Sequence, residues 1–284
     1  MFLSTVILVL QEILEAALLI SVLLVLSRLL TRSSNEHLVI SNRWLPFAAL
    51  FGLAGAWLYA AMMPVVSEWF DYVGLEIING TIQIIILAIL CLFCFMFSNS
   101  NRITRISLLA SLAPVLMCVM VALGITREVS EIILYMNGVM ATPVNVSPAI
   151  LGSVIAAGIG VSSGIVLYFL ILSLSVTWSY RICMLLLALF AGNLASQATL
   201  LLTQADWLPY TRELWNSSGF IPEYSVTGQL LYALIGYEAN PSLLQVVVYF
   251  CSALLIVFSP LFRLAWTRSD IVQGYSSRAW SGKK

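Results

Sequence analysis

The stretch Leu10-Gln11-Glu12-Ile13-Leu14-Glu15-Ala16-Ala17 lies inside the first apolar run of the chain, where a bilayer interior should be. On a helix, its two carboxylates share one face, about one turn apart. Thr126-Arg127-Glu128-Val129-Ser130-Glu131 repeats the spacing in a later apolar run. Ionisable groups are expensive at membrane depth, so each is a functional-site hypothesis. A single Glu-x-x-Glu could be a hydrogen-bonding pair that only supports packing. Two with identical spacing argue for a shared site.

Composition sets the frame around these pairs. The 284 residues are 61% hydrophobic and 9% charged, whereas a soluble domain carries about 25% charged residues. Mean hydropathy is +1.00. The chain therefore reads as an all-α, polytopic membrane protein with the lipid bilayer as its surroundings. Net charge is zero and no basic patch occurs, which excludes nucleic acid as a partner. Cys91 and Cys94 form a C-x-x-C inside an apolar run, where they read as small membrane-helix side chains. His37 is the only histidine and falls in a loop, so neither an imidazole zinc site nor a bis-His haem is expected. The N-terminus enters an apolar run without a basic segment, so no cleavable signal peptide is expected.

About twenty apolar residues cross a bilayer as a helix. Seven such spans are expected, at about 2–26, 45–66, 77–97, 106–140, 149–176, 182–203 and 243–263. The fourth is too long for one upright span and contains Pro114, so tilt, a kink or an interfacial first turn is expected. The apolar piece 228–236 is too short to span and reads as an interfacial or re-entrant helix. Alternating the loops puts Arg28, Arg32, Arg43, Arg102, Arg105, Arg181 and the tail cations Arg263, Arg268, Arg278, Lys283 and Lys284 on one side. The other side receives Arg212 alone. This places the C-terminus in the cytoplasm and the N-terminus outside. The outer loops hold Glu68, Asp71, Glu76, Asp206, Glu213, Glu223 and Glu238, an acidic entrance that attracts cations.

Glu12 and Glu128 are 116 residues apart, as are Glu15 and Glu131. Three spans separate the motifs, so the second runs opposite to the first. That is the pattern of an inverted 3+3 repeat with a site at the repeat interface. The expected organisation is one permease domain over 1–284. It comprises repeat 1 at about 1–98, repeat 2 at about 106–204, an outer loop with a short helix at about 205–241, and an extra last span. Four facing carboxylates offer hard oxygen donors, which suit hard or borderline cations. Arg127 can neutralise part of their charge. Asn79, Gln83, Asn193, Ser196 and Gln197 read individually as interhelical hydrogen-bond partners.

These residues carry a resemblance. The run from Gln11 to Ala16 resembles the Arg-Glu-x-Leu-Glu-Ala motif of the high-affinity iron permease family, and Arg127-Glu128-Val129-Ser130-Glu131 matches its Arg-Glu-x-x-Glu in full. Glu76-Ile77-Ile78-Asn79-Gly80 resembles the Glu-x-x-Glu-Gly that opens the family's third span. Gly236-Tyr237-Glu238-Ala239-Asn240-Pro241-Ser242 looks like the Gly-Tyr-x-x-x-Pro-Ser segment before its last helix. Gln11 stands where the family has Arg, and Asn79 where it usually has Glu.

The resemblance implies a permease, not an enzyme, that carries iron ions into the cell across the plasma membrane, here the bacterial inner membrane. Glu12, Glu15, Glu128 and Glu131 would form the metal path, with Glu76 and the outer acids as capture sites. Arg127 and Gln11 would set the charge. Iron would be cargo, with no cofactor, and an extracytoplasmic oxidase, peroxidase or iron-binding protein would be the partner. Rival readings are a permease for another divalent cation or a proton-coupled solute, a membrane oxidoreductase subunit, and a structural membrane subunit.

Overall fold

The computed structural model describes residues 2–33, 42–98, 103–140, 146–222 and 225–259. Glu36, His37, Arg102, Glu223 and the tail from Arg263 to Lys284 lie outside these residues, as do the side chains of Arg32 and Arg105. Every long element is a helix: α1 (Phe2–Ser33), α2 (Trp44–Val66), α3 (Gly74–Ser98), α4 (Ile103–Met140), α5 (Val146–Leu172) and α6 (Val176–Gln204). All six contain a stretch long and apolar enough to cross a bilayer. Two shorter apolar helices follow, α7 (Val226–Ile235) and α8 (Leu243–Ser259). In lipid every backbone group must be satisfied within its own segment, so helices are the expected solution. Hydroxyls obey the same constraint: those of Thr81, Ser153, Thr199 and Ser252 each bond the carbonyl one turn back.

α4 is one continuous helix of 38 residues despite Pro114. Pro114 is the twelfth residue of this helix, so the Ala110 carbonyl loses its backbone N–H partner there. The short apolar piece forms α7, ten residues long and too short to span. Ser225 caps its start by accepting from the Gly228 N–H at 3.0 Å. Gly236 ends it with φ +69°, and the Gly236 and Tyr237 N–H groups turn back to the Tyr232 and Leu231 carbonyls.

The packing has an exchange pattern. α1 lies on α5 as α4 lies on α2; α1 touches α6 as α4 touches α3; and α1 meets α4, and α3 meets α6, directly. The α1–α5 and α2–α4 seams are both close. A Cβ on Gly160 would sit 2.5 Å from Ile13 Cγ2, and one on Gly52 would sit 2.7 Å from Ile125 Cβ. α1 and α4 run antiparallel: the Thr5 hydroxyl bonds the Tyr135 hydroxyl at 2.9 Å, Glu15 faces Arg127, and Leu19 lies alongside Gly124. α2 and α5 are peripheral, each with 22% of its span buried. α6 and α1 are the most buried, at 67% and 61%; each packs against several other helices, including α7.

The ends carry the marks of two interfaces. At one end Trp69, Phe70, Tyr72, Trp207, Tyr210, Trp215 and Phe220 are exposed, and Phe70 meets Trp207 edge to face. This contact joins the α2–α3 turn to the chain after α6, the two acidic loops. Phe70, Asp71 and Tyr72 are successive residues with positive φ, a tight and strained reversal. At the α5–α6 turn Arg181 lies over the exposed ring of Trp178 at 5.3 Å. Amphipathic rings of this kind favour the headgroup level. The chain from Arg212 to Ser217 is pinned to the segment leading into α8 by N–H···O bonds from Leu214 to Pro241, Ser217 to Ala239 and Leu243 to Arg212.

Candidate cation site

Where α1 crosses α4, the two Glu-x-x-Glu motifs face each other. Glu12 and Glu15 fall on one face of α1, and Glu128 and Glu131 on one face of α4, as their three-residue spacing requires. One carboxylate oxygen from each of Glu12, Glu128 and Glu131 lies within 4.8 Å of the others. Glu12 and Glu128 are buried, each 5% exposed, while Glu131 keeps 32% of its side chain accessible. Glu131 is therefore the least enclosed of the three.

Glu15 stands differently. It is 1% exposed and its Oε2 lies 3.5 Å from Arg127 Nη1. The same nitrogen donates to Glu128 Oε1 at 3.0 Å, and Arg127 Nε donates to Glu131 Oε1 at 3.2 Å. Arg127 Nη2 turns the other way and donates to Gln197 Oε1 at 2.7 Å. The guanidinium thus serves three carboxylates and one amide with its planar fork. One cation among four carboxylates leaves three formal negative charges when all are ionised.

Glu12 Oε2, both oxygens of Glu15 and Glu128 Oε2 are buried without a hydrogen-bond partner. Buried polar atoms are normally satisfied, and unpaired charged oxygens are the costliest to leave so. Such oxygens, gathered from two helices beside a solvent-facing third carboxylate, are what an oxygen-liganded cation needs. The donor set fits a hard or borderline metal ion.

The polar residues of α3 and α6 connect to this group. Gln83 Nε2 donates to Gln197 Oε1 at 2.8 Å, and Gln197 Nε2 donates to Asn193 Oδ1 at 2.9 Å. Asn79 Oδ1 accepts from the Tyr59 hydroxyl at 2.9 Å. Asn79, Gln83 and Gln197 bond across helices as expected, the bond to Asn193 lies within α6, and Gln197 also binds Arg127. The signal was in the sequence: Asn79 and Gln83 have the same four-residue spacing as Asn193 and Gln197, 114 positions on.

Other expected residues lie further out. Glu76 sits in the first turn of α3 and is not among the three clustered carboxylates. Glu238 accepts from Gln245 Nε2 at 2.6 Å and Ser196 Oγ at 3.4 Å, and it lines a cavity of about 140 Å³ between α6, Gly236 and α8. On α7, burial and the charge of Glu15 push the Tyr232 phenol well above its ordinary value, so it remains a neutral O–H. Gln11 is half-buried on α1, at the position equivalent to Arg127. Cys91 and Cys94 are both free thiols.

Residues 2–270 match the family model described as the iron permease FTR1 family. Among curated proteins, the ferrous iron permease EfeU of Escherichia coli O6:H1 is 23% identical over 255 residues, covering 85% of this chain and 89% of that protein. No solved structure matches the chain.

Proposed function

The chain belongs to the iron permease FTR1 family, and from that premise we propose how its residues carry iron. It is an integral membrane transporter, not an enzyme, and iron is its cargo. Glu12, Glu128 and Glu131 form the ion's oxygen cage at the α1–α4 crossing. Glu15 takes part through Arg127, which it helps to hold beside the cage. The observation that supports this reading most strongly is the set of buried, unpartnered carboxylate oxygens on two antiparallel helices.

Iron approaches the acidic end of the protein, where Glu68, Asp71, Glu76 and Asp206 raise the local cation concentration. Glu76 and Glu238 are capture sites on the way inward. Glu131, the exposed member, exchanges the ion's water for carboxylate, and the ion then settles between Glu12 and Glu128. Three formal negative charges offset the dehydration of a multivalent cation, which lipid alone could not. An extracytoplasmic oxidase, peroxidase or iron-binding protein delivers the ion.

In this reading α8 belongs to the seventh span, and α1–α3 and α4–α6 form the inverted repeat. The exchange pattern of packing and the antiparallel α1–α4 crossing support that arrangement. The exposed Arg28, Arg43 and Arg181 mark the cytoplasmic side, with the N-terminus outside. A reporter fused after Lys284 should read cytoplasmic, and a tag near Ser217 should be reachable from outside.

The function is tested by radioactive iron uptake in cells. Glu12→Gln, Glu15→Gln, Glu128→Gln and Glu131→Gln should each abolish uptake while the protein stays folded in the membrane. Gln keeps size and most hydrogen bonds but loses the charge. Normal uptake in all four variants would reject the path.

A further inference from the structure

We infer that Gln197 is a positioning residue for transport: it holds the Arg127 guanidinium aside so that the carboxylate cage stays open to the cation. This deepens the iron-path reading and rests on it. Gln197 is 3% exposed, and each atom of its amide is engaged. Its Oε1 accepts from Arg127 Nη2 at 2.7 Å and from Gln83 Nε2 at 2.8 Å, which fills both lone pairs. Its Nε2 donates to Asn193 Oδ1 at 2.9 Å. Asn193 is itself fixed against the end of α7, where a Cβ on Gly236 would meet Asn193 Oδ1 at 2.7 Å. The amide is thus locked by α3, by its own helix and by the α7 cap.

The lock has a defined place in the molecule. Gln83 and Gln197 occupy equivalent positions in the two Asn-x-x-x-Gln segments, and they bond each other. Two equivalent residues touch only near the axis that relates the two halves, so the amide bridge lies at the centre of the pseudo-symmetric unit. It is used unequally. Gln197 Oε1 carries a guanidinium, whereas Gln83 Oε1 is buried without a partner. The position equivalent to Arg127 is Gln11, so the bridge docks one cationic side chain rather than two.

The consequence follows from the charges. Arg127 faces Glu15, Glu128 and Glu131 with Nε and Nη1, and all three pull it towards the oxygens that iron would use. Among the described residues, Gln197 supplies the acceptor on the opposite edge. The guanidinium already bonds one oxygen each of Glu128 and Glu131; without Gln197 its Nη2 edge would also turn to the carboxylates and compete with iron for the remaining oxygens.

Iron uptake is measured against iron concentration in proteoliposomes, normalised to protein in the membrane. Gln197→Leu keeps the size but removes the acceptor. It should raise the half-saturating concentration about 10- to 100-fold, the usual range for losing a group that orients a metal ligand, with a smaller change in maximal rate. Gln197→Glu keeps the acceptor for Arg127 but loses the donor to Asn193, so its half-saturating concentration should fall between the parent and Gln197→Leu. Asn193→Ala, which frees one side of the amide while leaving Gln197 in place, should move half-saturation in the same direction by a smaller factor and covers the case in which Gln197→Leu does not fold. The inference is overturned if Gln197→Leu lowers only the maximal rate, if Leu and Glu behave alike, or if Asn193→Ala leaves half-saturation unchanged. Glu12→Gln is run alongside. Normal transport by that variant rejects the iron path itself, whereas loss in Glu12→Gln with unchanged half-saturation in Gln197→Leu rejects the Gln197 role alone.

Discussion

The Glu-x-x-Glu of α1 and that of α4 have the same spacing and face each other, yet they are wired differently. On α4 both carboxylates accept from Arg127, and Glu131 is the least enclosed of the four. On α1 both are buried, and three of their four oxygens have no hydrogen-bond donor. Gln11 replaces the adjacent cation, and α7 covers the helix from outside. The difference teaches that a duplicated motif need not give duplicated roles. One copy holds the counter-charge and the least enclosed carboxylate, and the other holds the least satisfied oxygens.

The largest test of that contrast is Arg127→Leu against Gln11→Leu. Removing one partner from a buried ion network costs about 3–5 kcal/mol, because the remaining charges lose their compensation. Gln11→Leu leaves the network intact and should cost less than about 1 kcal/mol. Thermal unfolding in detergent measures both, and equal losses would abolish the distinction between the motifs.

Next comes the division within α1. Glu12 belongs to the three-oxygen group, while Glu15 lies outside it and pairs with Arg127 at 3.5 Å. Iron binding to purified protein should weaken about 10- to 100-fold in Glu15→Gln, and further still in Glu12→Gln. The reverse order would make Glu15 the direct ligand. The smallest effect concerns the helix seams that present the motifs. Gly160→Ala and Gly52→Ala each force a Cβ into the facing motif helix, and each should cost about 1–3 kcal/mol. Gly158 has nothing within 4 Å of such a Cβ, so Gly158→Ala should cost nothing and gain about 0.5–1 kcal/mol from helix propensity. Unequal losses at Gly160 and Gly52 would mean that the two seams are not equivalent.

Much of this arrangement was legible in the chain. Helical spacing placed each carboxylate pair on one face, and the length of an apolar run set each long helix. The brevity of the piece before Gly236 marked α7. The partners of Arg127 were not legible. Sequence puts it next to Glu128 and one turn from Glu131, but its reach to Glu15 depends on how α4 crosses α1, and its reach to Gln197 on where α3, which α4 packs against, holds α6. Glu12 and Glu15 were equivalent by spacing and separated only by that crossing. The Asn-x-x-x-Gln repeat was visible but displaced by two positions from the 116-residue offset of the glutamates, so a search at one fixed offset passes over it.

The central claim is that the two motifs build one cation site and not two. Equilibrium binding of radioactive iron to the purified protein tests it directly, in the parent, Glu12→Gln and Glu128→Gln. The account predicts one high-affinity iron per chain, lost in both variants. Two irons per chain, or a site that survives the loss of either motif, would contradict it.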